Sequence, residues 1–493
     1  MKKFLLFLLA SSSVSYAQEI NLKWAEKIPT KSDISIIGGK GGFYYTSHLN
    51  KKDELIARKY DANMNFVKEN NISFNLENKK YSYQGAYFVE NDILHFIREE
   101  KRKEDKSLLL TGFTDFDLVT KKTINVVDEA DDDNKILNFG TRAISPDSTK
   151  ILVYHERVAK KKEPTILTYK VYNSTITEVV VEGEVSLPIK AKNYYTDDVK
   201  VDNLGNVYVM ARIIKEKNEK GKGLSEYYYK LVVFDRNKNV KEFDFDYNDN
   251  NISYIDMIPG KNNTFFCTGF LTNLKGGRKK LISDEMFFAT LDCNTLTLSE
   301  SKMLKVDGLY PDKVKKNEDF VPYKIRAIYE KKDGGYSIVA EQYKLEIVTV
   351  SNGRTMSTHY IYYYCDVACV QTDNKANVQS LTRIPKYQKN AGNPGIISTF
   401  KDDKTYIVYE DLTKNATAED DKSTKRNTKS IFSSDSRNSL YILTVNSDGQ
   451  SNKDILYDYK ESKIQPYIHG SKNISPGRIL LNAKDQLGLL EIK

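Results

Sequence analysis

The stretch VDNLGNVYVMARIIKEKNEKGKG, residues 201–223, contains the unit from which we predict the fold. A turn at Asn203, Leu204 and Gly205 leads into the run NVYVMARI, whose β-branched and aromatic residues favour a strand. Lysines and glutamates follow without apolar periodicity. The pattern predicts a buried strand that is entered from a tight turn and ends in a charged loop.

Seven other segments repeat this pattern. Each follows a turn rich in Asn, Asp, Gly or Pro, which supply the dihedral angles of a tight reversal. The eight segments are GFYYTSH from Gly42, DILHFIRE from Asp92, KILVYHER from Lys150, NVYVMARI from Asn206, TFFCTGFL from Thr264, GYSIVAEQ from Gly335, TYIVYEDL from Thr405 and RILLNAKD from Arg478. Strands precede and follow each of them, so each unit of roughly 50 to 73 residues is predicted to form a four-stranded antiparallel sheet.

Four-stranded sheets repeated around an axis form a β-propeller. The last unit ends after its third strand, LGLLEIK, whereas an extra strand-like segment, INLKWAEKI, surrounds Trp24 near the other terminus. We therefore predict an all-β propeller of eight blades, with the N-terminal strand completing the last blade and closing the ring. Seven blades, or two smaller β domains, are the alternatives.

Two units resemble known propeller repeats. AISPDSTKILVYHE, from Ala143, resembles the hairpin of Tol-type periplasmic propellers, and VDNLGNVYV, from Val201, resembles that of NHL-type propellers. Each resemblance covers a single unit. It implies the architecture and no substrate.

Residues 1–17 have the pattern of a secretory signal peptide: Lys2 and Lys3, an apolar core, and a small-residue cleavage site ending at Ala17. Residues 18–493 are then expected to form one propeller domain that is periplasmic, on the cell surface or extracellular. No later segment has the length of apolar sequence that spans a bilayer.

Four cysteines are too few for a disulfide scaffold. Cys267 and Cys293 lie on two strands that are predicted to face each other. The two residues are therefore predicted either to form a disulfide or to remain free thiols. Cys365 and Cys369 are four residues apart on one strand, which is too far for a bridge, and are predicted to be packed thiols.

Lysine-rich loops follow several of the predicted second strands and would emerge on one face of a propeller. The binding residues predicted there are Lys101, Lys103, Lys160, Lys161, Lys215 and Lys217. Such a basic rim would suit an acidic glycan or an acidic patch of an envelope protein. Nucleic acid is not expected, because no nucleic-acid-binding module is visible. The alternative is that these loops are merely solvated, since glutamates interleave with the lysines.

The sixth unit contains two long strand-like runs that meet at Asn352 and Gly353, a strong hairpin signal. We predict a projecting hairpin at about residues 341–360 whose tyrosines, Tyr360, Tyr362 and Tyr364, contact a protein or a sugar. The alternative is a hairpin folded onto the neighbouring blade. The polar segment at about 414–437 is predicted to be disordered.

No nucleophile elbow, zinc-protease helix or phosphate-binding loop is present, and no cofactor is predicted. Polar residues recur near the ends of the second strands: His48, Arg98, Glu156, Arg212, Glu341 and Asp411. They would form a ring at the channel mouth, either as a site or as structural pairs. Acidic stretches from Asp128 and Asp244 suggest solvated turns more than calcium sites. The sequence favours a non-catalytic binding propeller; a hydrolase or lyase acting at the channel mouth and a structural envelope component are the alternatives.

Overall fold

The computed structural model describes residues 20–30, 33–74, 81–101, 106–130, 135–158, 162–216, 225–247, 250–273, 283–310, 321–351, 356–389, 394–413, 415, 438–462 and 464–493. The predicted signal peptide lies outside these ranges, as does the segment 414–437 except for Asn415. Nearly all regular structure in the described ranges is β-strand. The exceptions whose bounds are fully described are a 3-10 turn at Ala191–Asn193 and a single helical turn, α1, at Tyr459–Ser462.

The described strands form eight antiparallel sheets, which follow one another along the chain. The first strand, β1 (Ile20–Trp24), belongs to the last sheet. Sheet 1 contains β2 (Ser35–Lys40), β3 (Phe43–Leu49), β4 (Leu55–Tyr60) and β5 (Phe66–Asn71). Sheet 2 contains β6 (Tyr81–Val89), β7 (Asp92–Lys101), β8 (Lys106–Asp115) and β9 (Thr120–Ala130). Sheet 3 contains β10 (Lys135–Ile144), β11 (Lys150–Val158), β12 (Pro164–Asn173) and β13 (Val179–Lys190).

Sheets 4 to 6 continue the same order. Sheet 4 contains β14 (Tyr194–Val201), β15 (Val207–Ile214), β16 (Tyr227–Phe234) and β17 (Val240–Phe245). Sheet 5 contains β18 (Asn250–Pro259), β19 (Thr264–Asn273), β20 (Glu285–Asp292), β21 (Thr297–Leu298) and β22 (Lys302–Lys305), the last two both paired with β20. Sheet 6 contains β23 (Tyr323–Glu330), β24 (Tyr336–Ser351), β25 (Met356–Thr372), β26 (Val378–Ile384) and β27 (Gln388–Lys389), the last two both paired with β25.

The last two sheets differ in how they are completed. Sheet 7 contains β28 (Ile396–Lys401), β29 (Lys404–Leu412), β30 (Asn438–Val445) and β31 (Ser451–Asp458). Sheet 8 contains β32 (Tyr467–Ser475), β33 (Arg478–Asn482) and β34 (Leu487–Ile492), and its fourth strand is β1 from the other end of the chain.

The pairing of β1 with β34 completes the eighth sheet as the sequence predicted. The two strands are antiparallel and in register from Ile20, opposite Ile492, to Trp24, opposite Gly488. Glycine is required there, because a Cβ atom at residue 488 would lie 2.6 Å from the ring of Trp24. Trp24 also meets Tyr457 of sheet 7 edge-on, with ring centroids 6.2 Å apart.

Eight clusters of buried apolar side chains hold the sheets together, one at each junction between consecutive sheets. At the junction of sheets 4 and 5, for example, the ring of Tyr208 packs edge-on against Phe265 at 5.0 Å. Sheets 8 and 1 are joined in the same way, with Leu487 and Leu489 packed against Tyr44. Since the last sheet packs on the first, the sheets form a ring.

This arrangement confirms the predicted all-β propeller, and it has eight blades rather than seven. All eight sequence segments from which the fold was predicted are second strands of their sheets: β3, β7, β11, β15, β19, β24, β29 and β33. The continuous ring of junctions is incompatible with the alternative of two separate β domains.

The first strand of each sheet lies nearest the axis, because first strands of neighbouring sheets contact one another at seven of the eight junctions. In seven sheets the pairing of the first strand with the second is interrupted by a register shift. Such bulges redirect a side chain that strict alternation would place elsewhere. The residues at these shifts include Gln84, Asp197, Ser253 and Arg326, so the bulges place polar groups on the strands that line the channel.

Candidate functional site

A long hairpin extends sheet 6 well beyond the other sheets. Its two strands, β24 and β25, pair out to Ser351 opposite Met356, with a register shift between Glu341 and Tyr343. The eight pairs from Lys344 outward, residues 344–351 and 356–363, are here named the outer hairpin. At the rise of an antiparallel strand, the outer hairpin is about 27 Å long. The turn at Asn352 and Gly353 lies outside the described residues.

One face of the outer hairpin carries no charged side chain, and most of its side chains are apolar or aromatic. Alternate positions on paired strands share a face. This face, here named the apolar hairpin face, consists of Leu345, Ile347, Thr349, Ser351, Met356, Thr358, Tyr360 and Tyr362. Ile347, Met356 and Tyr360 remain 59%, 77% and 55% exposed, so large apolar side chains face solvent in the described structure.

Near the base of the outer hairpin, the opposite face makes contacts within the chain. The hydroxyl of Tyr363 donates a hydrogen bond to Glu346 Oε2 at 2.9 Å. The ammonium groups of Lys344 and Lys389 lie 5.6 and 5.1 Å from the centroid of the Tyr363 ring. The two faces therefore differ in chemistry as well as in direction.

The base of the hairpin is packed into the propeller. Tyr364, which the sequence grouped with Tyr360 and Tyr362, meets Tyr343 edge-on with ring centroids 5.1 Å apart. The guanidinium of Arg326 lies 5.5 and 5.8 Å from the centroids of these two rings. Tyr364 thus anchors the hairpin, and the exposed tyrosines lie further out.

The predicted basic rim lies largely outside the described part of the chain. Lys103, Lys160, Lys161 and Lys217 fall in undescribed loops, and only the backbone of Lys101 is described. The prediction that Lys215 is an exposed binding cation is wrong. Its side chain is buried, and its Nζ lies 2.7 Å from Asp246 Oδ2. The residue after the strand therefore stabilises sheet 4 through an ion pair.

The six polar residues that the sequence placed near the channel mouth occupy similar places on the second strands. Arg98, Glu156, Arg212 and Glu341 lie opposite Ser82, Asn138, Tyr195 and Lys324 of the first strands. His48 and Asp411 lie near the corresponding ends of β3 and β29. The repeat thus brings these residues to one end of the ring.

These side chains have partners in their own or an adjacent sheet. Glu341 accepts from Lys386 Nζ at 2.5 Å and pairs with Arg326. Glu156 accepts a hydrogen bond from the hydroxyl of Tyr154 at 2.8 Å and another from Thr196. Such contacts give these residues a structural role at the junctions between strands and sheets.

Arg212, Asp411 and His48, from the same six polar residues, also interact with nearby side chains. The guanidinium of Arg212 lies 5.5 and 5.7 Å from the rings of Tyr195 and Tyr227. Asn415 Nδ2 donates to Asp411 Oδ1 at 2.9 Å. Burial, together with the nearby charge of Arg58, lowers the pKa of His48 to about 4, so its ring is neutral at pH 7.

The sequence analysis did not single out a group of charged residues on the first strands. A cavity of ≈ 450 Å³ opens between β10 and β14, and Pro259 at the end of β18 also lines it. Its charged lining consists of Arg142, Asp197, Asp198 and Lys200. The available signal was the occurrence of charges within first strands such as YYTDDVKV, where apolar residues alternate with them.

Asp256, on β18, belongs to the same charged region. Burial, opposed by the charge of Lys324 and assisted by the neighbouring carboxylate of Asp198, raises the pKa of Asp256 to about 6. Its Oδ2 atom is buried and has no hydrogen-bond partner. Burial likewise raises the pKa of Asp198, against the effect of Lys200, whose Nζ lies 3.1 Å from Asp198 Oδ1.

The raised pKa of Asp256 predicts a pH-dependent gain in stability for the variant Asp256→Asn. Between pH 3.8 and about 6 the folded state keeps a proton that the unfolded state releases, so wild-type stability falls as the pH rises through this window. Asparagine cannot ionise, so the variant avoids the free-energy cost of a buried negative charge at high pH. We expect the free energy of unfolding to increase by about 2 kcal/mol at pH 8 and to change little at pH 4, measured by urea unfolding.

The matched control for Asp256→Asn is Asp307→Asn, because the Asp307 side chain is 80% exposed. The control should show no comparable difference between the two pH values. A gain of equal size at pH 4 and pH 8 for Asp256→Asn would contradict the assigned cause.

The disulfide considered between Cys267 and Cys293 is absent, since both thiols are free and buried. The register explains this: Cys267 lies opposite Ala289, whereas the amide of Cys293 donates to the carbonyl of Asn263, four residues away along the strand. Burial raises the pKa of both thiols to about 12, so neither is a ready nucleophile. Cys365 and Cys369 are buried free thiols too.

Within the described ranges, no three His, Cys, Asp or Glu side chains converge as a metal site would require. Parts of both acidic stretches considered for calcium, residues 131–134 and 248–249, are not described. Among the described helical residues, none forms a helix long and apolar enough to cross a membrane.

No protein-family model and no curated protein sequence matches the chain. Similar solved structures include the WD40 domain of SCAP from fission yeast, which is 9% identical, with 96% of this chain and 98% of that chain covered and a TM-score of 0.39. The β-propeller domain of the Trilobed protease from Pyrococcus furiosus is 12% identical, with 84% and 93% covered and a TM-score of 0.34. The α-L-arabinofuranosidase Arb93A from Fusarium graminearum is 13% identical, with 69% and 97% covered and a TM-score of 0.33. Likenesses this distant carry no argument about function, and the propeller assignment rests on sheet order and packing.

Proposed function

We propose that the protein is an exported, non-catalytic propeller that binds another protein of the cell envelope through the apolar hairpin face. The observation that carries the proposal is the exposure of two adjacent cross-strand pairs, Leu345 with Tyr362 and Ile347 with Tyr360, on one uncharged face. Met356 is exposed on the same face nearer the tip. Soluble proteins rarely leave such side chains together in solvent unless a partner covers them.

The chemistry of this face favours a protein partner over an acidic glycan. Tyrosine, methionine and branched aliphatic residues are typical of the cores of protein interfaces, from which charged residues are depleted. An acidic glycan would instead need exposed cations. Lys215, the predicted rim lysine whose side chain is described, is buried in an ion pair.

A pair of substitutions on β24 tests the proposal. Ile347 and Val350 are both exposed, at 59% and 49%, but lie on opposite faces of the same strand. We expect Ile347→Asp to weaken partner binding at least about tenfold, because it places a charge in an apolar contact, and Val350→Asp to leave it within about twofold. Both variants should fold as stably as the wild type, since both positions are on the surface.

The partner itself is identified with a photo-crosslinking amino acid placed at residue 347 or 350 and expressed in the native organism. The expected result is one protein crosslinked from position 347 and not from position 350; its purified form then serves in the binding comparison. Crosslinking to the same protein from both positions, or from neither, contradicts the proposal.

A further inference from the structure

The outer side of β24 forms an open strand edge along the hairpin. β23 covers this side only at the base, where the amide of Tyr343 donates to the carbonyl of Pro322 at 2.9 Å. From Leu345 to Thr349, β24 is paired with β25 on its inner side, and no strand of the described ranges pairs with its outer side.

The hydrogen bond of Tyr343 fixes which residues direct their backbone groups to this edge. In an antiparallel ladder the N–H and C=O of one residue point to the same side, and the side alternates from residue to residue. The pairing of β24 with β25 is regular from Tyr343 outward. Leu345, Ile347 and Thr349 therefore each direct one N–H and one C=O to the open edge, at a spacing of about 6.8 Å.

This row of donors and acceptors matches the backbone of a further β-strand. Natural proteins usually protect an exposed edge with lysine, proline or a bulge. None of these occurs from Leu345 to Val350, whose sequence, LEIVTV, is rich in the β-branched residues that favour a strand. The edge is therefore suited to accept a strand from another chain.

The edge of β25 on the other side of the hairpin is better protected. At its base, β27 pairs with Tyr363 and Tyr364. The ammonium of Lys389, the last residue of β27, lies 5.1 Å from the centroid of the Tyr363 ring. The described residue at the corresponding place beside β24 is Pro322, which adds no charge. Of the two edges, that of β24 is the better acceptor.

We propose that the partner protein pairs an extended segment of its own chain with the open edge of β24. Side chains of that segment that lie opposite Leu345, Ile347 and Thr349 would extend the apolar hairpin face, so apolar residues are expected at alternate positions of the segment. The inference rests on the proposed function and adds how the partner is recognised: backbone hydrogen bonds supply affinity, and the apolar face selects the sequence.

A synthetic peptide of residues 356–363 is a suitable probe, because this sequence already pairs with β24 on its inner side. Placed antiparallel on the open edge with the same faces matched, it directs its amides 358 and 360 to β24 and its amides 359 and 361 to solvent. We expect saturable binding to the chain beginning at Gln18 in fluorescence anisotropy. N-methylation of amides 358 and 360 should weaken binding at least about tenfold, and N-methylation of amides 359 and 361 should leave it within about twofold.

Two proline variants decide which edge the peptide uses. Thr349 and Thr358 form one cross-strand pair, and each directs its amide to the outer edge of its own strand. Thr349→Pro blocks the edge of β24 without removing a hydrogen bond of the hairpin and should weaken peptide binding at least about tenfold. Thr358→Pro makes the same change at the edge of β25 and should leave binding within about twofold. Thermal melts verify that both variants are folded, and the methylated peptides test the wild-type protein independently.

Crosslinking separates this inference from the proposed function. A partner that crosslinks from residue 347 equally well with and without Thr349→Pro covers the face without adding a strand, which overturns the inference and leaves the proposed function standing. Peptide binding in the expected pattern without any crosslinked partner supports strand addition at β24 and contradicts the proposed function. The inference is also overturned by absence of saturable peptide binding up to about 1 mM, or by equal effects of the two methylation patterns or of the two proline variants.

Discussion

The variant Glu341→Gln is expected to lose about 3–5 kcal/mol of folding free energy, measured by urea unfolding of the chain beginning at Gln18. The side chains of Glu341 and Lys386 are both 0% exposed, and Lys386 Nζ lies 2.5 Å from Glu341 Oε1. Arg326 Nη2 contacts the other carboxylate oxygen at 2.7 Å. Glutamine removes the negative charge and leaves a buried ammonium without its counter-ion, which is a large cost in a low-dielectric interior.

Two further variants show whether the buried charge is the cause. Glu330→Gln removes a carboxylate from the same sheet, but its partner, Lys261, is 68% exposed, so a loss below about 1 kcal/mol is expected. Adding Lys386→Met to Glu341→Gln removes the unpaired ammonium and should restore part of the lost stability. If Glu341→Gln alone loses no more than Glu330→Gln, the ion pair is not a stabilising element.

Removal of β1 is expected to lower the melting temperature by on the order of 10 °C in calorimetry, comparing a chain that begins at Ala25 with one that begins at Gln18. β1 supplies the fourth strand of sheet 8, and its side chains Ile20, Leu22 and Trp24 pack on the junction of sheets 7 and 8. Loss of three large, partly buried side chains should cost about 5 kcal/mol.

Addition of the missing strand as a peptide provides the control. A peptide of residues 18–30 should raise the melting temperature of the shortened chain towards that of the longer chain in a concentration-dependent way, whereas a scrambled peptide should not. If the shortened chain has the same melting temperature as the longer chain, β1 contributes little to closing the ring.

The fold was predictable because its signals are local. The turn Asn203-Leu204-Gly205 and the run Val207–Ile214 each depend on a few consecutive residues, and eight repetitions make the count secure. The closing strand was predictable because the segment around Trp24 has the pattern of a strand but belongs to none of the other predicted units. None of these inferences required knowledge of which side chains meet across the ring.

The candidate sites depend on side-chain contacts between residues that are distant in sequence. They were therefore predicted less well than the fold. Lys215 looked like the first residue of a charged loop, but the path of the chain after β17 brings Asp246 within 2.7 Å of it. The channel carboxylate Asp197 lies at a bulge, and strict alternation along a strand cannot show a bulge. The exposed tyrosines of the hairpin were found because Asn352 and Gly353 mark the turn and so define the pairing.

The pairing of β1 with β34 also constrains when folding can finish. Ile20 and its partner, Ile492, lie on the first and the last described strands, so β1 is made long before β34. Until β34 has been made, β1 has no strand to pair with and must remain available while the intervening sheets form. Because contacts between residues so distant in sequence form slowly, closure of the ring is expected to be the last step of folding and to limit its rate.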